Sequence, residues 1–224
     1  GSTRDITEQR KQEKKLKERA RKDSLTGLYN QVYGKKCINK YLNHKKPFDS
    51  CGMIVLDVDS FKLVNDNYGH LFGDKVLARL AMLLKEVFRD NDSILMRAGG
   101  DEFVIFVKDI LNIELVRKNV ELMQKIRNLQ FGKTGCTITC SAGCCYLPEN
   151  VSGYTYDQLF ENADIALYKA KAAASRSRHA AAAPLLLNAR WENRYRLPEQ
   201  TAHAHHHTIT AFCGFHSDST FFPC

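Results

Sequence analysis

Two adjacent glycines between short apolar runs constrain this fold more than any other feature of the sequence. Gly99 and Gly100 separate the apolar runs 94–97 and 103–107. A glycine pair at that place favours a tight turn, because glycine adopts positive φ without steric cost. The two runs are therefore predicted to form an antiparallel β-hairpin, which excludes a sheet made only of parallel strands.

The other periodic segments alternate irregularly between strand and helix. Residues 51–57 form an apolar run that ends in a carboxylate, as a buried strand does, and 136–146 is a second strand candidate. Apolar residues recur at steps of three and four in 74–88, 112–129 and 155–174, which predicts three amphipathic helices. Together with the hairpin, this order indicates an α+β fold or a mixed-sheet α/β fold.

The positive charge of the chain is concentrated at its start. Of the net charge of +8, residues 1–22 contribute +5 and residues 23–179 contribute +3, while residues 180–224 are neutral. A nucleic-acid-binding domain is expected to carry its positive charge on the folded body, so we expect no nucleic-acid partner. Residues 1–22 contain no proline and no glycine after the first residue and predict a helix, either a coiled-coil linker or a solvated helix.

Two further features of the sequence bear on the location of the protein and on the limits of its domain. No apolar run approaches the ~18–20 residues that cross a bilayer, so we expect no membrane segment in this chain and a cytoplasmic location. Residues 180–224 carry an alanine run and four histidines between 203 and 207, without a helix or strand period. Metal binding and a tail that is not native to the domain both fit this pattern. We expect an irregular, non-native or disordered tail and exclude it from the functional interpretation.

The cysteines show no spacing that indicates a metal site. There is no Cys-x-x-Cys pair, and no histidine lies at zinc-finger spacing from a cysteine. Cys136, Cys140 and Cys144 fall at even intervals, which places them on one face of a strand. We expect them to be reduced and buried.

Two carboxylates mark a candidate site at one edge of the predicted sheet. Asp57 ends a buried strand and Asp101 lies in the glycine hairpin, so the two meet if those strands are neighbours. Paired carboxylates repel unless a cation lies between them, and Mg²⁺ takes one or two protein carboxylates and completes its shell with water and phosphate oxygens. Gly99 and Gly100 offer no side chain that would keep a phosphate from the backbone. An ordinary hairpin turn explains Gly-Gly-Asp equally well.

Residues between the two acids indicate a guanine site. Asn65 and Asp74 can read guanine together: the carboxylate accepts from the ring N–H and the exocyclic amine, and the amide pairs with the remaining edge. Adenine lacks that pair of adjacent donors and would leave polar groups of the site unpaired. Asp74 is also a candidate N-cap of the helix that follows, a role compatible with base recognition.

Four motifs in this order resemble the GGDEF family of diguanylate cyclases. Gly-Gly-Asp-Glu-Phe at 99–103 is the signature of that family, and the three others occupy residues 23–30, 57–74 and 163–171. The resemblance assigns residues 23–179 to a GGDEF domain. Residues 1–22 resemble the end of a PAS sensor domain with its signalling helix, which makes them a helical signalling linker.

The resemblance implies a fold and an activity. The fold is a palm-like mixed sheet of the nucleotidyl-cyclase kind, flanked by helices, with the signature in an antiparallel hairpin. The activity is condensation of two GTP into cyclic di-GMP with release of two pyrophosphates. The implied metal is Mg²⁺, with Mn²⁺ as the alternative. The implied partners are a second copy of the chain, in a homodimer whose active sites face each other, and an upstream PAS-like sensor; a full-length protein tethered to a membrane is compatible with this arrangement.

The resemblance also assigns roles by position. Asp57, Asp101 and the Val58 carbonyl would bind the metal, and Glu102 would complete the environment of the metal and the 3′-hydroxyl. Asn65 and Asp74 would bind guanine. The phosphate-binding groups would be the backbone of Ser60 and Phe61 and the side chains of Lys62, Lys171 and Arg176.

Three positions depart from the family pattern. The Arg-x-x-Asp of the inhibitory product site would fall at 90 and 93, whereas Arg89 and Asp92 stand one residue early, so we predict no working inhibitory site. Gln31 stands where arginine often follows the opening motif. Ser175 stands at the phosphate-binding arginine, and Arg176 is displaced by one residue, about 100° around a helix.

The altered end of the last helix keeps a second function open. Loss of one charge-assisted contact to phosphate costs roughly 1.5–3 kcal/mol, which weakens GTP binding about tenfold to a hundredfold. The alternative to an active cyclase is therefore a catalytically impaired GGDEF domain that acts as a GTP-binding or protein-interaction module. A basic-helix interaction protein, supported by residues 1–22 alone, is a third hypothesis.

Overall fold

The computed structural model describes residues 2–89, 92–131, 135–180 and 210–212. Its helices are α1 (Ser2–Arg21), α2 (Gln31–Asn43), α3 (Phe61–Tyr68), α4 (His70–Val87), α5 (Asn112–Arg127) and α6 (Tyr156–Ala180). Its strands are β1 (Tyr29–Asn30), β2 (Cys51–Val58), β3 (Ser93–Gly99), β4 (Glu102–Lys108), β5 (Cys140–Leu147) and β6 (Thr210–Phe212). Among these residues no helix has the length and apolar character that a bilayer crossing requires.

The strands form one mixed sheet in the order β1-β3-β4-β2-β5-β6. β1 pairs with β3 in parallel, and every other neighbouring pair in that order is antiparallel. β3 and β4 pair so that Gly99 lies opposite Glu102, with Gly100 and Asp101 between them. The predicted mixed sheet flanked by helices is confirmed.

β2 lies at the centre of the sheet and is buried on both faces. Ile54 and Leu56 point into a core shared with α4 and α5, whereas Met53 and Val55 point into a second core shared with α2 and α6. Alternate residues of a strand face opposite sides. Because both sides are covered, the sequence of β2 is a continuous apolar run and not an alternating one.

The backbones of β5 and α6 touch at Gly143. A Cβ at this position would lie 2.1 Å from the carbonyl oxygen of Ala163 and 2.2 Å from the amide nitrogen of Leu167. Glycine is therefore required for α6 to lie directly on the sheet. This packing brings Lys171, later in α6, to the edge of the sheet where β2 ends.

The described cysteines are reduced, as expected. Cys136, Cys140 and Cys144 belong to the same buried core, but only Cys140 and Cys144 lie in β5, so the prediction that all three share one face of a strand is wrong for Cys136. The six described cysteines are free thiols, and burial raises the pKa of Cys145 to about 12. The described residues contain no group of three or more His, Cys, Asp or Glu side chains that converges as a metal site.

Several boundaries differ from those predicted. α4 begins at His70, four residues before the predicted start, and α6 continues to Ala180. β5 begins at Cys140, because residues 136–139 pack against the core outside the strand ladder. Within the tail predicted to be irregular, Thr210–Phe212 forms β6 and pairs with residues 144–146 of β5. The remainder of residues 181–224 lies outside the described residues.

Candidate functional site

Asp57 and Asp101 lie at the same edge of the sheet. Asp57 is the second-last residue of β2 and lies opposite Glu102 of β4 on one side and Ser141 of β5 on the other. The next residue, Val58, donates its backbone N–H to the carbonyl oxygen of Asp101 at 3.4 Å. The strand end and the glycine turn are therefore neighbours, which is the condition on which the metal hypothesis depends.

The Asp57 carboxylate is in an environment that disfavours its charge. Burial is the main cause that raises the pKa of Asp57, and the negative charges of Asp101 and Asp59 add to it. Lys171 opposes this rise, since its Nζ lies 2.7 Å from Asp57 Oδ1. A partly buried carboxylate beside other acids gains from a nearby positive charge, which makes it a suitable ligand for a cation.

Glu102 belongs to the same acidic group. Burial raises the pKa of Glu102, and the charges of Asp57 and Asp164 raise it further, while Lys171 lowers it. Asp164 is an exposed residue of α6, and the sequence analysis did not select it as a site residue. Lys171 thus lies against Asp57 of β2 and close enough to Glu102 of β4 to lower its pKa.

The donor chemistry of this edge fits a hard divalent cation. Mg²⁺ needs no more than one or two carboxylates from the protein, together with carbonyl, water and phosphate oxygens. The Asp57 and Asp101 side chains and the Val58 carbonyl supply oxygen donors only.

The start of α3 supplies a candidate phosphate site. Ser60 precedes this helix with φ 54° and ψ 34°, a left-handed conformation, and its side chain makes no capping hydrogen bond. The first backbone N–H groups of a helix have no intrahelical acceptor and attract anions. Phe61 and Lys62 form the first turn, with Lys62 exposed and Phe61 half-buried. The predicted phosphate-binding backbone therefore lies at a helix N-terminus, next to the end of β2.

Asn65 and Asp74 lie on adjacent helices that approach closely. A Cβ on Gly73 would lie 2.0 Å from Asn65 Oδ1, so the amide of Asn65 rests directly on the backbone of α4, one residue before Asp74. Gly73 was missed by the sequence analysis, since a glycine inside a helix carries no chemical signal by itself. Asp74 is exposed in the second turn of α4, whose N-cap is Gly69, so the N-cap interpretation of Asp74 is wrong.

A cavity of about 360 Å³ lies beside α3. Its lining includes Asp59, Ser60, Asn67 and Tyr68, together with residues 135–139. Neither Asn65 nor Asp74 lines it. The predicted guanine-binding residues therefore face a different part of the surface.

The structure describes two other predicted sites only in part. Arg176 lies in α6, but its side chain is outside the described residues, as is that of Ser175. Asp92 accepts a hydrogen bond from Lys108 Nζ at 2.9 Å, and position 90 lies outside the described residues. The absence of a working inhibitory site stays a prediction.

Arg97 is a further residue that the sequence analysis did not select. It lies near the end of β3, and its guanidinium donates to the carbonyl oxygen of Gly100 and to the carboxylate of Asp23. The only signal in the sequence is a charged residue at the end of an apolar run. Asp23 opens the first of the four motifs, so two motifs meet through this side chain.

Comparisons with known proteins agree with the geometry. The family model described as "Diguanylate cyclase, GGDEF domain" matches residues 20–177. Cyclic di-GMP phosphodiesterase PdeR of Escherichia coli (strain K12) is 34% identical over 168 residues, which are 75% of this chain and 25% of PdeR. Diguanylate cyclase DgcS of Shewanella oneidensis is 34% identical over 151 residues, which are 67% of this chain and 49% of DgcS. The chain thus spans half or less of the length of these two relatives.

Solved structures show the same fold. The coiled coil and GGDEF domain of DgcB from Caulobacter crescentus, in complex with c-di-GMP, superposes with a TM-score of 0.70 at 25% identity, covering 77% of this chain and 91% of that one. Diguanylate cyclase SiaD from Pseudomonas aeruginosa, in complex with its activator SiaC, gives a TM-score of 0.64 at 30% identity, covering 77% of this chain and 66% of SiaD.

Proposed function

The chain belongs to the GGDEF family of diguanylate cyclases, and we propose that it condenses two GTP into cyclic di-GMP and two pyrophosphates as a Mg²⁺- or Mn²⁺-dependent homodimer. The observation that carries the proposal is the contact between the end of β2 and the glycine turn, which brings Asp57 and Asp101 to one edge of the sheet. Lys171 reaches the same edge from α6.

The acids of this edge hold the cation in the proposed mechanism. The Asp57 and Asp101 carboxylates and the Val58 carbonyl bind it, and Glu102 lies beside them on β4. When bound, a divalent cation polarises the α-phosphate, offsets charge on the leaving pyrophosphate and lowers the pKa of the attacking 3′-hydroxyl. No side chain needs to form a covalent intermediate, because positioning and electrostatic stabilisation suffice for phosphoryl and nucleotidyl transfer.

The helices bind the rest of the nucleotide. Asn65 on α3 and Asp74 on α4 recognise guanine, and the close approach at Gly73 keeps them near each other. The N-terminus of α3, with Phe61 and Lys62, binds phosphate, and Lys171 exchanges its contact with Asp57 for a phosphate oxygen. Arg176 adds positive charge from the end of α6.

The partners in this proposal are GTP, a second copy of the chain and an upstream PAS-like sensor connected through α1. Each copy supplies one GTP, so product forms only where two sites face each other. The activity is placed in the cytoplasm, where GTP is available, and it involves no nucleic acid.

One observation favours a second function, a catalytically impaired GGDEF domain that binds GTP or a protein partner. Ser175 replaces the arginine that the family places in contact with phosphate. A family member whose nucleotide is bound weakly, or is bound without turnover, can still regulate a neighbouring domain.

The deciding experiment is incubation of the chain with GTP and Mg²⁺ over a range of protein concentrations, followed by chromatographic separation of the nucleotides. We expect cyclic di-GMP from the unaltered chain and none from Asp101→Ala. Binding of GTP without product at the highest concentration would replace the cyclase by the regulatory module. Absence of both product and GTP binding would remove the cyclase and the GTP-binding module and leave only the protein-interaction module.

A further inference from the structure

The guanidinium of Arg97 is fully engaged between two parts of the domain. Its Nε and Nη2 both donate to the carbonyl oxygen of Gly100, at 2.9 and 2.6 Å. Its Nη1 lies 3.3 Å from each carboxylate oxygen of Asp23. The two side chains are largely buried, with 17% of Arg97 and 22% of Asp23 exposed. All three guanidinium nitrogens therefore donate, and they join the glycine turn to Asp23.

The glycine turn has little else to hold its shape. A Cβ built on Gly99 or Gly100 would meet no heavy atom within 4 Å, so both residues lie in open space. Gly100 adopts φ +45°, and the β3–β4 register shifts between Arg97 and Gly99. A turn without packed side chains depends on its hydrogen bonds for a defined conformation. The two bonds from Arg97 to Gly100 act one residue before Asp101.

Asp23 is a fixed anchor for Arg97. Its Oδ1 accepts from the backbone N–H of Thr26 at 2.8 Å and from the Thr26 hydroxyl at 2.6 Å. Its own N–H donates to the Leu28 carbonyl at 2.9 Å. Burial opposes its ionisation, but the hydrogen bonds from Thr26 and the charge of Arg97 outweigh burial and lower the pKa of Asp23.

Asp23 lies two residues after the end of α1, and that end is tied to the domain. The side-chain amide of Asn30 donates to the Ala20 carbonyl at 2.8 Å. The Arg21 guanidinium lies 4.8 Å from the ring centroid of Tyr33, and Lys22 Nζ lies 3.6 Å from that of Tyr29. The end of α1 is therefore fixed to the domain beside Asp23.

We propose that Arg97 is a positioning residue, which holds the Gly99–Gly100–Asp101 turn in its productive geometry and makes that geometry depend on Asp23 at the end of α1. The kinetic part of this proposal rests on the cyclase activity proposed above. The Arg97–Asp23 pair is largely buried, so losing one partner also lowers stability. The distinctive claim is that loss of Arg97 alters the turn and the rate more than it alters the fold.

The kinetic test compares three single variants with the double variant Asp23→Asn/Arg97→Met. All are measured at a protein concentration high enough that a further increase does not raise the rate per chain. Arg97→Met removes both contacts, Arg97→Lys keeps the charge beside Asp23 but not the two-nitrogen contact with Gly100, and Asp23→Asn removes the ion pair. We expect kcat to fall about tenfold or more in Arg97→Met and Arg97→Lys, with KM for GTP within about threefold, because the turn carries Asp101 and not the base-binding groups. Asp23→Asn lowers kcat on its own but adds nothing to Arg97→Met, since both act through one side chain.

A matched control lies at the far end of the same two strands. Lys108 on β4 forms an ion pair with Asp92 at 2.9 Å, and Lys108 is 21% exposed. Lys108→Met removes a comparable hairpin ion pair far from the turn, and we expect kcat within about twofold of the unaltered chain. The inference is wrong if Arg97→Met also stays within about twofold, or if Lys108→Met loses as much activity as Arg97→Met.

A second measurement does not depend on the activity. Backbone ¹⁵N relaxation gives order parameters for Gly99 and Gly100, and we expect values of about 0.85 in the unaltered chain and below about 0.6 in Arg97→Met and Arg97→Lys. The values for β2 should not change. If the unaltered chain makes no cyclic di-GMP, the proposed function fails while this test of Arg97 still applies. Unchanged order parameters at the turn would overturn the inference even in an active enzyme.

Discussion

In the proposed mechanism, the ammonium group of Lys171 has two interactions that exclude each other. It contacts the Asp57 carboxylate at 2.7 Å, yet the proposed mechanism requires both a cation on that carboxylate and a lysine on the phosphates. Asp57 has a raised pKa because it is buried and lies near other acids, so it gains from either positive charge. Lys171 and a divalent cation therefore compete for one carboxylate.

Replacing Lys171 by methionine is expected to change cation and nucleotide affinity in opposite directions. Without the ammonium group, Mn²⁺ should bind the nucleotide-free chain about threefold to tenfold more tightly, while GTP should bind about tenfold more weakly through loss of a charge-assisted contact. Electron paramagnetic resonance of free Mn²⁺ and calorimetric titration with GTP measure the two effects.

Lys35 offers a closely matched control for that substitution. Its Nζ also lies 2.7 Å from an aspartate, Asp157, and its side chain is 42% exposed, as is that of Lys171. Lys35→Met should leave Mn²⁺ and GTP affinities unchanged. Equal Mn²⁺ affinity in Lys171→Met and the unaltered chain would show that the lysine does not compete with the cation.

Asp23 carries a pH dependence whose sign follows from its lowered pKa. Folding lowers the pKa of this carboxyl from its ordinary 3.8, so the ionised form stabilises the fold above pH 3.8, and this contribution is lost as the pH falls through the lower folded pKa. We expect Asp23→Asn to lower the free energy of unfolding by about 1 kcal/mol near neutral pH and by progressively less below pH 3.8. Urea unfolding at a series of pH values measures this difference.

Asp92 is the control for the pH series, because its ion pair with Lys108 leaves it 71% exposed. Asp92→Asn should differ little from the unaltered chain at any pH. A stability difference for Asp23→Asn that stays constant from neutral to acidic pH would mean that the carboxylate charge is not what stabilises the loop after α1.

At the scale of elements, close backbone packing between β5 and α6 sets the height of the last helix above the sheet. We expect Gly143→Ala to destabilise the fold by about 1–3 kcal/mol, because the added Cβ would overlap backbone atoms of α6 that cannot move independently. The midpoint and slope of urea unfolding measure this effect. Gly99→Ala is the control for stability, since a Cβ there meets nothing within 4 Å; equal stability of the two variants would contradict the packing argument.

The elements with strong apolar periodicity were predictable from the sequence, as was the polar helix α1, whereas α2 and α3 were not. Regular apolar positions are buried in β2, in the β3–β4 pair and in α4, α5 and α6. The sequence patterns of these elements therefore indicate whether each is a helix or a strand and where it lies in the chain. α3 has no fully buried residue, and its apolar stripe is limited to Phe61 and Val64, which is too short to predict a helix. α2 buries only Gly34, Ile38 and Leu42, which is too sparse a pattern to separate it from a loop.

The residues of the candidate site also separate into those that the sequence predicted and those that it did not. Asp57 and Asp101 were predictable as neighbours because a strand end and a glycine turn determine where a carboxylate lies relative to the sheet edge. Gly73 and Arg97 were not, since their importance depends on contacts with Asn65, Gly100 and Asp23 that only the folded chain brings together. Contacts between segments far apart in sequence leave no local pattern.

At the scale of the whole molecule, the proposed reaction requires two copies of the chain, and a mixing experiment tests this requirement. Asp101→Ala removes a proposed metal ligand without removing an element of the fold, so this variant should still pair with the unaltered chain. In an equal mixture at saturating concentration, random pairing in a twofold-symmetric dimer leaves about one quarter of the dimers with two intact sites. The rate of cyclic di-GMP formation should therefore fall to about a quarter of that of the unaltered chain at the same total concentration. Mixing with Lys108→Met, which alters only the far end of the β3–β4 pair, should leave the rate unchanged. A fall only to one half with Asp101→Ala would mean that each intact site works independently of its partner, and the two-site mechanism would have to be abandoned.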